Sequence, residues 1–324
     1  MKHLALTYVI AGIGVGIFIW LQLPLPWLLG PIFACLIAAL AGVPMKGNKL
    51  INDAMRSILG VAVGATFTTT LLISMAAMWP TLLMIPVMVV CIAVIGVPYF
   101  QRVWGFDFAT SYYSAMPGGL QDMLAFGEEA GGDVRALSLI HATRVMVVVV
   151  ALPFILQGYW GADLTNPPGA AASTIDPSQM LLMVFCGIAG WQGAKALGMF
   201  GASILGPLIL AAIMALLGVL QHRPPAEAIW MAQFFIGMTV GTKYAGVTGA
   251  EVRKDVAAAL GFCLILIALT FVFAEAVHLF HLALPMETLL AFAPGGQAEM
   301  TVLALIVGAD MAFVIAHHVL RIFV

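Results

Sequence analysis

Charge is scarce in this sequence. Only 9% of its 324 residues are Asp, Glu, Lys or Arg, while 63% are hydrophobic. A soluble domain carries about 45–50% apolar and about 25% charged residues. So few charges cannot cover a solvated surface, which excludes a soluble globular protein and implies a polytopic integral membrane protein. The net charge of −2 offers no footprint for a nucleic acid, and neither a basic tail nor a helix-turn-helix pattern occurs. No GxxxxGK[ST] occurs either, which argues against ATP hydrolysis. The four cysteines, Cys35, Cys91, Cys186 and Cys263, lie inside apolar runs without a CxxC pair. They suggest neither a metal knuckle nor a disulfide frame and read as small packing residues. Most of the seven histidines are scattered. His278 and His281 lie three apart on one apolar run with Glu275 three before, a spacing that could bind a metal. An oxygenase would need a tighter cluster of His and carboxylate. No cofactor is implied and no enzyme is expected.

What the chain does have is long apolar runs. A hydrocarbon core of roughly 30 Å takes about 20 apolar residues to cross. Crossing spans are expected at 4–22, 26–43, 53–74, 80–101 and 133–156, then at 178–195, 199–220, 228–247, 255–283 and 309–324. The first run exceeds the h-region of a signal peptide and reads as a transmembrane helix. A Pro-, Gly-, Ala- and Ser-rich stretch without Lys or Arg separates the two sets. The expected organisation is therefore membrane repeat 1 over residues 1–157, a linker over 158–177, and membrane repeat 2 over 178–324.

The word repeat is literal. Pro117, Gly118, Gly119, Asp122, Met123, Asp133, His141 and Arg144 recur as Pro294, Gly295, Gly296, Glu299, Met300, Asp310, His318 and Arg321, always 177 residues later. Gly60 and Gly64 recur as Gly237 and Gly241 at the same shift, and LGP at 29–31 recurs at 205–207. Lys2, Lys46, Lys49, Arg56, Arg102 and Arg135 mark alternate loops as the inner ones. Five spans per copy is an odd number, so the copies should be inverted repeats related by an axis in the membrane plane. The GxxxG pairs read as close helix packing.

Each copy also interrupts itself. The runs on either side of Pro117-Gly118-Gly119 and of Pro294-Gly295-Gly296 are too short to cross. Residues 103–132 and 284–308 are expected to form re-entrant hairpins with these tips at mid-membrane. Broken backbone survives at that depth only when buried in protein or lining a wet cavity. The start of the following half-helix would offer free N–H groups to an anion, and glycine would let a ligand approach closely. Starting from Asp133, Arg144 lies about 16 Å into the membrane, near the midplane. His141 and Arg144, with their counterparts His318 and Arg321, should converge on the tips. Asp122 and Glu299 could pair with the arginines or cap the half-helices. Asp133 and Asp310 read better as caps. The second copy reaches Val324 only three residues after Arg321, so its last helix should fall short of a full crossing.

The series LGP, GxxxG, PGGxx[DE]M, G-[AG]-D and a His three before an Arg resembles the AbrB-type membrane protein family over essentially the whole chain. That family is distinct from the soluble DNA-binding regulator of the same name. Its members are labelled transporters, regulators of gene expression or ammonia monooxygenases. The resemblance implies a duplicated all-α membrane fold in the bacterial inner membrane. Together with the residues, it leads to an expected secondary transporter of a small anionic or zwitterionic solute, coupled to an ion or proton. The candidate solute-binding residues are Pro117, Gly118, Gly119, Asp122, His141 and Arg144, with Pro294, Gly295, Gly296, Glu299, His318 and Arg321. Expected partners are a small molecule or ion and membrane lipid, with no nucleic acid. Bundles of this sort often pair, so a homodimer is compatible. The alternatives are an indirect role in gene expression or an ammonia monooxygenase-like enzyme.

Overall fold

The structure is a computed structural model that describes residues 2–69, 77–164, 167–199 and 201–324. The side chains of residues 2, 120–122, 252, 322 and 323 fall outside the description. Among the described residues every regular element is a helix.

The first copy contributes α1 (Lys2–Trp20), α2 (Pro26–Leu40), α3 (Lys49–Gly64), α4 (Trp79–Val103), α5 (Phe108–Ala115), α6 (Leu120–Glu129) and α7 (Val134–Trp160). The second contributes α8 (Pro177–Ala196), α9 (Ala202–Leu216), α10 (Ala226–Gly241), α11 (Gly249–Leu279), α12 (Pro285–Phe292), α13 (Gln297–Val307) and α14 (Met311–Phe323). Local chemistry sets several of the starts. Asn48 accepts N–H bonds from Leu50 and Ile51 to begin α3, Asp107 accepts from Thr110 to begin α5, and Asp176 accepts from Ser178 to begin α8, with Pro177 in its first turn. These are N-caps of the usual kind.

Among the described residues four helices are long and apolar enough to cross a membrane: α1, α4, α7 and α11. Ten crossing spans were expected. The expected positions do hold helices, but α2 and α9 have 15 residues and α3 and α10 have 16. At 1.5 Å per residue such helices reach only about 22–24 Å, short of a roughly 30 Å core. Helix α8 has 20 residues but carries Gln179, Gln192 and Lys195. The outward face of the long helices is itself apolar: Val90 on α4 is 60% exposed and Leu264 on α11 is 70% exposed. Water would penalise such faces, and lipid would not.

Two compact units form, and neither coincides with a sequence copy. One unit takes residues 1–76, 157–245 and 301–312; the other takes 77–156, 246–300 and 313–324. The copies therefore remain a division of the sequence, and each unit draws on both.

Glycine organises the first unit. A methyl group on Gly60 would strike the carbonyl oxygen of Ile204, and one on Gly64 that of Leu208. In the other copy, Gly237 faces the Leu28 carbonyl and Gly241 that of Ile32 in the same way. So α3 of the first copy lies against α9 of the second, and α10 of the second lies against α2 of the first. Within each copy, Gly14 meets Gly30 and Gly190 meets Gly206 at backbone distance. The small-residue reading of the GxxxG pairs is thus the right one, and their partner is the LGP helix of the opposite copy.

Helix α1 offers an internal control for this packing. Gly14→Ala would push Ala Cβ into Gly30 and should destabilise by about 1–3 kcal/mol. Gly12→Ala and Gly16→Ala meet no atom within 4 Å and should be neutral or stabilise by up to about 1 kcal/mol. Unfolding of the three purified variants in detergent measures the contrast.

Candidate functional site

Both Pro-Gly-Gly breaks, and both His–Arg pairs aimed at them, belong to the second unit. Proline causes each break locally. It pushes the preceding residue out of the helical region. Met116 accordingly takes φ −61° and ψ 132° after α5, and Ala293 takes φ −59° and ψ 129° after α12. Gly119 remains extended, at φ −64° and ψ 136°, before α6 begins. None of the four glycines of the two breaks has positive φ, so they are not there for a left-handed turn. Gly118 leaves room for a side chain instead. A methyl group on it would come within 2.6 Å of Met123 Cε, and one on Gly295 within 2.7 Å of Met300 Cε. The two methionines lie across the breaks in matching fashion. They were legible as members of the repeat but not as part of the site, because an apolar residue in an apolar run carries no signal.

A broken helix leaves its last carbonyls without partners. In the first copy α7 supplies them. The His141 Nε2 lies 2.9 Å from the carbonyl oxygen of Tyr113. Arg144 donates from Nη1 to Met116 O at 2.9 Å and from Nη2 to Gly118 O at 3.4 Å. In the second copy α14 does the same. The His318 Nε2 lies 2.9 Å from Leu290 O, and Arg321 donates to Ala293 O at 2.7 Å and to Gly295 O at 3.1 Å. Every donor and acceptor is displaced by 177 residues. A cation at a helix C-terminus is favoured by the helix dipole as well as by the bonds themselves.

The second clamp also joins its own two residues. The Arg321 Nη2 lies 2.9 Å from His318 Nδ1. A carbonyl oxygen can only accept, so His318 carries its proton on Nε2 and offers a lone pair at Nδ1. His318 is therefore neutral in this arrangement, and protonating it would set two donors against each other. His317 is different in kind: its Nδ1 bonds Phe313 O of its own helix at 2.7 Å, and its ring packs on Phe292 and Phe313. It has no counterpart in the first copy, and its bond is local.

The site is buried. Arg144 and Arg321 are 5% and 6% exposed, and His141, His318 and Glu299 are as deeply enclosed. Among the described residues the Nε atoms of both arginines have no hydrogen-bond partner. The Glu299 carboxylate folds back over Gly296, where an added methyl group would collide with Oε2. The side chain of Asp122 lies outside the described residues. Beside Pro294 a void of about 20 Å³ opens among Val148, Leu152, Ile267, Thr270 and Leu289, room for a single water at most and too apolar to hold one. Asp133 behaves as the cap it was expected to be, accepting from the backbone of Arg135 and Ala136 at 2.9 and 3.1 Å. Its counterpart Asp310 falls in the other unit, on the wall of a recess of about 750 Å³ that also holds Thr66, His222 and Arg223. The rings of His278 and His281 sit 6.4 Å apart, and no third ligand-type side chain joins them among the described residues.

Removing a clamp should cost stability directly. Arg321→Met leaves Ala293 O, Gly295 O and His318 Nδ1 without their charged donor, at about 1.5–3 kcal/mol for such a bond. Arg321→Lys, keeping the charge but not the fork, should fall between the two. Thermal unfolding in detergent reads the order.

The sequence model of a family described as Transition state regulatory protein AbrB matches residues 27–324. A Bacillus subtilis (strain 168) protein printed as Uncharacterized protein YhjN is 27% identical over 321 residues, covering 91% of this chain and 83% of its own length. An Escherichia coli (strain K12) protein printed as Putative regulator AbrB is 24% identical over 308 residues, covering 94% of this chain and 88% of its own. With nearly its whole length inside that match, the chain belongs to the AbrB family.

Proposed function

We propose that this chain is a secondary transporter of a small anionic or zwitterionic solute, embedded in the bacterial inner membrane. The observation that carries the proposal is the pair of matched clamps. Two helix breaks, each closed by a buried arginine and a histidine from a distant helix, are costly to place in an apolar protein. Ordinary packing has no need of them.

In this reading α5–α6 and α12–α13 are re-entrant hairpins, and the two copies are inverted repeats. The four long apolar helices and their apolar outer faces support a membrane setting. The solute sits where the breaks meet, with Arg144 and Arg321 supplying positive charge from N–H groups that the carbonyls leave unused. His141, His318, Asp122 and Glu299 are the groups that could exchange a coupling proton or ion. The Nε2–H tautomer of His318 makes a proton there compete with Arg321, which links protonation to the state of the clamp. The closed geometry around Pro294 requires the hairpins to part for a solute to enter, as alternating access demands. The reading assigns no catalysis to the chain.

A second reading is a membrane protein with an indirect role in gene expression. The printed name of the Escherichia coli relative favours it. A deletion that alters transcription while every solute flux is unchanged would select it.

For the transporter, a thermal-shift screen of the purified protein against small carboxylates, amino acids and inorganic ions should yield at least one stabilising solute. Uptake of that solute by reconstituted vesicles should fall by about tenfold or more in Arg144→Lys, which keeps the charge but loses the fork. Arg144→Ala should abolish uptake while still inserting. Full uptake by both variants removes Arg144 from the site.

A further inference from the structure

The recess of about 750 Å³ lies wholly in the first unit, and the transporter reading makes no use of it. It gathers four separate stretches of chain: Ala65 and Thr66 after α3, residues 167–170, residues 221–223, and the end of α13 with the turn into α14. Its walls are braced. Gln221 N donates to Gln179 Oε1 at 2.9 Å, and Gln179 Nε2 donates to Val219 O at 3.1 Å. Ala226 N donates to Ala170 O at 2.9 Å, and a methyl group on Gly169 would come within 2.8 Å of Pro224 O. Arg223 is thus carried on a short loop tied down on both sides. Such a recess is formed before any ligand arrives, as small-molecule sites usually are.

The lining divides by polarity. Gln221, His222 and Arg223 are exposed and form the rim, and Asp310 is half-buried. Ala304, Leu305, Ala309 and Met311 are buried and form an apolar floor. The charges are of both signs. His222 lies near enough to Asp176 for a protonated ring to favour that carboxylate's charge, so the imidazole has a partner of its own. Arg223 makes no ion pair among the described residues, where the ion pair is Arg135 with Glu251. Asp310 stands one residue before α14, as Asp133 stands one before α7. Asp133 makes both of its cap bonds with Oδ1, and a cap of that kind keeps the carboxylate charged.

A volume of about 750 Å³ falls in the range of small-molecule sites and exceeds what an inorganic ion would fill. A guanidinium takes a carboxylate through two parallel N–H bonds, a carboxylate takes an ammonium, and an apolar floor favours an apolar body. We propose that this recess binds a zwitterion with an apolar side chain, an α-amino acid or a short peptide with free ends. Its carboxylate meets Arg223, its ammonium meets Asp310, and its side chain lies on the floor. The site contains no residue of either clamp, and its occupancy does not depend on transport.

Isothermal titration of the full-length protein in detergent tests this, with L-alanine, L-leucine and L-alanyl-L-leucine as probes. At least one should bind saturably. Its N-acetylated form lacks the ammonium and its amide lacks the carboxylate, and each should bind about tenfold or more weakly. Arg223→Gln should weaken the zwitterion by a similar factor and erase the preference over the amide. Asp310→Asn keeps a capping side chain, and should instead erase the preference over the N-acetylated form. If Asp310→Asn does not fold, Arg223→Gln, an exposed change, decides alone. The site is overturned if none of the three probes binds, if Arg223→Gln binds as tightly as the wild type, or if either singly charged form matches the zwitterion. Binding is read without vesicles, so a failure of the transporter reading leaves this result standing, and the reverse also holds.

Discussion

A helix stopped inside an apolar protein must find acceptors and donors for the backbone groups it exposes, and this requirement governs the second unit. Proline stops α5 and α12 by steric means that need no help from the rest of the fold. The released carbonyls then have no water to turn to. His141 with Arg144, and His318 with Arg321, meet that demand from helices 28 residues further along. The arrangement is expensive in both directions. Without the carbonyls the arginines would be buried charges with little to bond, and without the arginines the breaks would be buried acceptors with no donor. Each half is tolerable only because the other is present.

The two units use opposite kinds of contact. In the first, backbones touch at glycine, and the attraction is close packing between smooth helix faces. In the second, charged and polar side chains reach into gaps that the helices leave open. Packing of the first kind resists small displacements, because an interior at native density has no room to give. A clamp of hydrogen bonds can open and re-form with its partners exchanged.

The helix positions were legible from the sequence because charge is so scarce and the apolar runs are bounded by Pro, Gly, Asn and Asp. The breaks were legible too, since the effect of proline on its predecessor is local. What was not legible was the arginine's partner. Reading Arg144 as a counter-charge for a solute came from its depth and its charge. The geometry spends two of its donors on Met116 O and Gly118 O, and a carbonyl oxygen leaves no mark in a sequence. The roles of Met123 and Met300 were hidden for the same reason. Helix length was less legible than helix position, because hydropathy does not distinguish a helix of 15 residues from one of 20 once its flanks are apolar. GxxxG announced close packing correctly. It could not say that the neighbour belonged to the other copy.

That crossed pairing bears on how such a chain could have arisen. The glycine face of α3 is covered by α9, and that of α10 by α2, so each half presents a groove only its sibling fills. A lone half would carry that groove bare.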